Sequence, residues 1–117
     1  LSIDHIRFAE HVAAIIIKPT VAGGIERSLE IARICRLTGK NAVLGSAIES
    51  SLGLSMIAGM AATLLDDTPI GLDTVRLFAS DLIVPPLKVV DYAVDIAQSA
   101  GRNLTLNPEV ITEVSIG

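Results

Sequence analysis

The chain has 117 residues, half of them hydrophobic, with a net charge of −4 and aromatics at only 3%. An acidic chain with few stacking rings and no basic run is a poor nucleic-acid binder, which needs a cationic face. One cysteine, Cys35, excludes an internal disulfide and a cysteine-based zinc site. The mean hydropathy of +0.60 is high for a free-standing domain of this size. It implies helices buried on most sides or a surface that meets another piece of protein. The longest apolar stretch, Leu52 to Leu65, is interrupted by Gly53, Ser55, Gly59 and Thr63. It falls short of the roughly 20 residues a membrane span needs, so no membrane role is expected. No signal peptide is visible, which makes the cytoplasm the default compartment. The sequence starts at Leu1 rather than Met, as a processed chain or a fragment would.

From Ser2 to Val12, apolar Ile3, Ile6, Phe8 and Val12 alternate with polar residues and predict a short helix N-capped by Ser2. Ala13 to Ile17 is a β-branched run that fits a strand buried on both faces, ending at Lys18-Pro19-Thr20. Gly23-Gly24 opens a helix with Ile25, Leu29, Ala32 and Cys35 on its apolar stripe and Gly39 as its stop. Cys35 is expected to be buried. Asn41 to Gly45 predicts a second buried strand, Ser46 to Ser50 a loop, Ser51 to Leu65 an apolar helix and Asp66 to Pro69 a turn. Strands separated by helices of this length imply right-handed βαβ units and a parallel sheet, at a spacing that suits a barrel. Beyond it, Gly71 to Leu82 has room for another short strand. Val84-Pro85-Pro86 is a rigid extended piece. Val89 to Ala100 carries a helical phase stopped by Gly101, and Leu104 to Ile116 alternates weakly, as an extended tail does.

Lys18 is the first candidate for chemistry, because it ends an apolar strand where a barrel's functional face lies. Partial desolvation there suits a lysine to proton transfer or to facing an anionic intermediate; the plainer reading is a lysine that snorkels to the surface. Gly23 and Gly24 allow backbone N–H groups to approach an anion, although such pairs are often only turns. Ser46 to Gly53 puts small residues between a buried strand and a helix N-terminus, where free N–H donors suit a carboxylate; N-capping by Ser50 or Ser51 is the alternative. Glu49 could act as a general acid or base or orient a neighbour, but with no cationic partner to assign to it a structural role is the better reading. Asp73 and Asp81 suit surface or capping roles, and His5 and His11 lie away from the strand ends. No phosphate loop, metal-binding His pair or nucleophile elbow is present.

Ile17-Lys18-Pro19-Thr20 with Gly23-Gly24, then Ile48-Glu49-Ser50-Ser51-Leu52-Gly53, then Gly71-Leu72-Asp73-Thr74, resemble the o-succinylbenzoate synthase family of the enolase superfamily, over residues 1–90. The Lys-Pro pair and the Glu-Ser-Ser-Leu-Gly stretch set the chain apart from muconate cycloisomerases. The resemblance implies an α/β fold, the last βα units of a modified (β/α)7β TIM-like barrel, with the sixth, seventh and eighth strands in this chain. Residues 91–117 are then a divergent C-terminal helix and tail. It also implies a Mg²⁺-dependent lyase that removes a proton α to a carboxylate, forms an enediolate and loses water to give o-succinylbenzoate for menaquinone synthesis.

By that resemblance Lys18 is the second active-site lysine, facing the intermediate from the side opposite the base. Gly45, Ser46 and Ala47, leading into Ile48 and Glu49, match the segment that holds the substrate's distal carboxylate through backbone N–H groups. The Mg²⁺ ligands and the first lysine pair belong to earlier strands, so no metal ligand is expected in this chain; Asp4 is too near Lys18 and on the wrong element. The expected partners are a small carboxylate substrate and either the remainder of the barrel with its capping domain or a second copy. Alternatives are a related cycloisomerase, racemase or epimerase, a non-catalytic partial barrel completed by self-association, and an anion-binding domain using the Ser46–Gly53 loop.

Overall fold

The computed structural model describes residues 2–64, 67–99 and 104–112. The chain begins with α1 (Ile3–Phe8), and the Ser2 hydroxyl accepts from His5 N at 3.3 Å, as an N-cap does. The helix is shorter than the predicted Ser2–Val12. Only Ile6 is buried, against α3, while Phe8 and Val12 are exposed, so no apolar face carries the helix further. A turn closed by Val12 N on Ala9 O follows.

β1 (Ala14–Ile17) and β2 (Asn41–Leu44) pair in parallel, with Ile16 opposite Val43 and Ile17 opposite Leu44. Between them lie α2 (Pro19–Ala22) and α3 (Ile25–Leu37). The short α2 is absent from the sequence reading; Pro19 starts it at a position where a missing N–H costs nothing. Gly23 and Gly24, both at φ +106, form the joint, with Gly24 as N-cap of α3. The buried stripe of α3 is Ser28, Ile31, Ala32, Ile34 and Cys35, rotated from the predicted one, and Ile25 is exposed. Ser28 sits in it because its hydroxyl donates to Gly24 O at 2.7 Å. The helix ends as predicted at Gly39 (φ +69), where Gly39 N donates to Arg36 O and Lys40 N to Cys35 O.

α4 (Ser51–Leu64) covers the same face of the pair. Ile17, Leu44, Leu54, Cys35 and Ala58 meet in the core, joined by Leu72 and Leu87 from further along the chain. The β1 strand is not buried on both faces. Ile15 and Ile17 face the helices, but Ile16 is 69% exposed, because no described element covers the other face. The predicted ends at Leu65 and Asp66 lie outside the described residues.

The third strand contracts to one parallel bridge, Gly45 to Gly71, with Gly71 N donating to Leu44 O at 3.0 Å. A 3₁₀ turn (Val75–Leu77) follows. β3 (Ile83–Val84) then pairs antiparallel with β6 (Thr105–Leu106). The predicted helix from Val89 does not form there. β4 (Val89–Val90) and β5 (Ala93–Val94) make a hairpin through Asp91 (φ 49) and Tyr92 (φ 62), and only α5 (Ile96–Ser99) is helical, packed on α4. The β-branched valines favour strands, and paired left-handed residues are the usual two-residue hairpin turn. Val94 packs against the core from this hairpin. The predicted Ala100 end, the Gly101 stop and the tail end at Ile116 lie outside the described residues; of the predicted extended segment, Thr105 and Leu106 are strand.

Candidate functional site

The C-terminal ends of β1 and β2 lie side by side. Continuing the register puts Lys18 level with Gly45. Alternation along the strands places Lys18, Ile16 and Gly45 on the face turned away from the helices. A Cβ at position 45 would meet Ile16 Cγ2 at 3.6 Å, so glycine keeps that face open beside the lysine. Lys18 is exposed rather than partly desolvated, because nothing described covers this face. It lines a cavity of about 350 Å³ with Ile16 and Val21. Its carbonyl accepts from Val21 N and Ala22 N at 2.9 and 2.8 Å, which fixes its backbone to α2.

Gly45 N donates to Ile17 O at 2.9 Å, and Ser46 N donates to Gly71 O at 2.8 Å. Both amides are therefore consumed by the sheet. The buried Ser46 hydroxyl also donates to Gly71 O at 3.0 Å and lies 3.0 Å from Thr74 Oγ1. Among the described residues, the backbone N–H groups of Ala47, Ile48, Glu49 and Ser50 have no partner. The free donors predicted for this loop exist, shifted one or two residues past Gly45 and Ser46.

The N-terminus of α4 is already capped. Asp81 Oδ1 and Oδ2 accept from Ser51 N at 2.9 and 3.1 Å, Oδ2 accepts from Ser51 Oγ at 2.5 Å, and Oδ1 accepts from Leu82 N at 2.7 Å. Ser51 Oγ in turn accepts from Leu87 N at 2.8 Å. The expected cap by Ser50 or Ser51 is thus supplied by a carboxylate 30 residues away, and the capping role read for Asp81 holds. Asp73 pairs with Arg76 at 3.1 Å on the surface.

Glu49 Oε1 accepts from Thr20 Oγ1, which joins α2 to the loop after β2. The Glu49 carboxylate lies close to Gly53, where a Cβ would stand 3.0 Å from Oε2. Gly23 and Gly24 sit at the α2–α3 joint, where their amides donate to Pro19 O. Those amides are not free for an anion. Thr20 was missed from sequence because a single threonine near a Pro carries no signal of a partner 29 residues on.

Burial raises the pKa of the Cys35 thiol, against a smaller lowering by the charge of Lys40. Among the described residues, no three His, Cys, Asp or Glu side chains converge on one point. These residues do not fit a Mg²⁺ site. No described helix is long and apolar enough to cross a membrane.

No family model matches the chain. Among curated proteins it is similar to o-succinylbenzoate synthase of Edwardsiella ictaluri, 50% identical over 72 residues, which are 62% of this chain and 22% of that protein. The o-succinylbenzoate synthase of Aliivibrio salmonicida is 41% identical over 80 residues, 68% of this chain and 25% of that protein. Among solved structures, a mandelate racemase/muconate lactonizing enzyme from Roseiflexus sp. superposes with a TM-score of 0.75 at 26% identity, covering 90% of this chain and 29% of that one. An enolase-superfamily member from Listeria innocua superposes at 0.69 and 23% identity, covering 84% and 27%. The chain spans about a quarter of the length of the curated relatives it matches. The resemblance to the o-succinylbenzoate synthases is borne out, and the fold is that of a segment shared with enolase-superfamily proteins.

Proposed function

We propose that residues 1–90 are the last βα units of an o-succinylbenzoate synthase-type barrel, that residues from 91 onward are a divergent C-terminal segment, and that the full-length parent dehydrates a small carboxylate to o-succinylbenzoate for menaquinone synthesis in the cytoplasm. The observation that carries this reading is the placement of Lys18 level with Gly45, next to a loop whose Ala47–Ser50 amides are free. A cation and a set of N–H donors at neighbouring strand ends suit a substrate with two anionic groups. In this reading the Lys18 ammonium faces the anionic intermediate, and the loop amides hold the distal carboxylate. Gly45, Ser46 and Ala47 shape that loop, Ile48 and Glu49 continue it, and Gly23 and Gly24 set the angle at which α3 leaves the Lys18 strand. Mg²⁺, which supplies charge neutralisation in this family's chemistry, is held by carboxylates outside this chain, as is the base that removes the α proton.

The test is Mg²⁺-dependent o-succinylbenzoate formation by the full-length parent. Lys18→Ala is expected to lower turnover by about 10²–10³-fold, the scale of one lost electrostatic stabiliser. A parent that racemises or cycloisomerises a carboxylate but makes no o-succinylbenzoate would move the assignment to a related branch of the superfamily. Turnover by the bare 117-residue chain would sink the view that essential parts lie elsewhere.

A second reading, a non-catalytic partial barrel completed by another copy, draws on the uncovered Ile16 face and the single-sided pairing of β1. Gel filtration across a concentration series decides it: a stable monomer at every concentration counts against self-completion.

A further inference from the structure

We infer that Thr20 and Glu49 form a positioning clamp that sets Lys18 against the Ala47–Ser50 amides, and that the Glu49 carboxylate carries no proton in the reaction. This deepens the proposed function and rests on it. Beyond the Gly45 N–Ile17 O bond, the element after Lys18 and the loop after β2 are joined by the hydrogen bond from Thr20 Oγ1 to Glu49 Oε1. Thr20 stands on α2, whose first turn is closed on the Lys18 carbonyl by Val21 N and Ala22 N. Glu49 is in the middle of the free-amide run. The hydrogen bond therefore links the two halves of the site through rigid backbone on one side and the donor loop on the other. A Cβ at Gly53 would lie 3.0 Å from Glu49 Oε2, close enough that the carboxylate would have to shift slightly.

The same geometry argues against acid–base chemistry at Glu49. Glu49 and Thr20 line an apolar cavity of about 170 Å³ with Ile25, Met56, Ile57 and Met60, and Lys18 does not line it. To exchange protons with a substrate held by Lys18, the Glu49 carboxylate would have to leave its bond to Thr20.

The experiment compares Thr20→Val, Glu49→Ala and Glu49→Gln in the full-length parent, by kcat, KM and pH profile of o-succinylbenzoate formation. Thr20→Val and Glu49→Ala should each lower kcat/KM by about tenfold, the scale of a displaced binding group, with no change in the pH profile. The amide oxygen of Glu49→Gln still accepts from Thr20, so that variant should recover most of what Glu49→Ala loses. A Glu49→Gln defect as large as that of Glu49→Ala, or a shifted pH profile, would make Glu49 an acid or base and overturn the clamp. A silent Thr20→Val would do the same. Should the unmodified parent form no o-succinylbenzoate, the proposed function fails separately. The clamp is then read by hydrogen exchange on this chain, where Thr20→Val should speed exchange at the bonded amides that flank it, Val21, Ala22 and Ser46, by about tenfold. Unchanged exchange there would overturn it. Thr20→Val removes only an exposed hydroxyl, so it serves if Glu49→Ala does not fold.

Discussion

Residues 14–64 and residues 67–112 are built on opposite plans. The first region has two four-residue strands in register and helices of 13 and 14 residues, and it supplies most of the buried apolar side chains. In the second, no described strand exceeds two residues, and Leu72, Ile83 and Leu87 are its buried hydrophobics. The second region is held to the first by Leu72, Leu87 and Val94 packed against its core, by α5 on α4, by the Gly45–Gly71 bridge, and by the Asp81 carboxylate and Leu87 N on Ser51. Long apolar elements fix their own register. Short ones borrow it from packing and directional hydrogen bonds on a finished surface.

The largest effect that would break this contrast is expected at Leu54, which is fully buried on α4. Leu54→Ala should cost about 2–5 kcal/mol by denaturant unfolding, and both regions should lose structure together. A loss confined to one region would mean that the second does not depend on the first. Asp81→Ala comes next. It leaves the buried Ser51 with an unmet amide and hydroxyl, a cost of about 1–3 kcal/mol. Hydrogen exchange should then rise over residues 81–94 while β1 and β2 keep their protection; equal loosening of both regions would erase the distinction.

The elements of the first region were legible because their signals are long and local. An unbroken Ala13–Ile17 run, the Gly23-Gly24 joint and the Gly39 stop each act within a few residues. What sequence alone misjudged was exposure, since burial of Ile16 and Lys18 depends on what lies over that face. The second region was misread where two patterns coexist: Val90, Ala93, Val94 and Ala97 keep helical phase, yet the valines pair and Asp91-Tyr92 turns. For the site, the strand ends and the loop were legible. The consumed amides of Gly45 and Ser46, the Asp81 cap and the Thr20–Glu49 bond were not, because each joins residues far apart in the chain.

The smallest expected effect concerns Cys35, which sharpens the picture of the first core. Burial raises its pKa, so the folded chain keeps the thiol protonated above the pH at which an unfolded one ionises. Its contribution to stability is complete below the ordinary thiol value and is lost as pH rises from there through the folded value. Thiolate absorbance followed through an alkaline titration should show Cys35 ionising late. Ionisation at the ordinary value would mean that the α3–β2–α4 core admits water.

The bare edge of β1 has a further consequence, for solubility. Among the described residues β1 is paired on one side only, and Ile16 stands exposed in the middle of it. A flat border of unpaired amides with an apolar side chain at its centre is what fibril-forming segments present to one another, and natural edge strands carry a lysine there as a gatekeeper. Lys18 stands at the end of the strand rather than at its middle. In a chain kept apart from whatever covers that border, Ile16→Lys should suppress aggregation and leave the melting temperature almost unchanged, because its side chain points away from the Ile15 and Ile17 face.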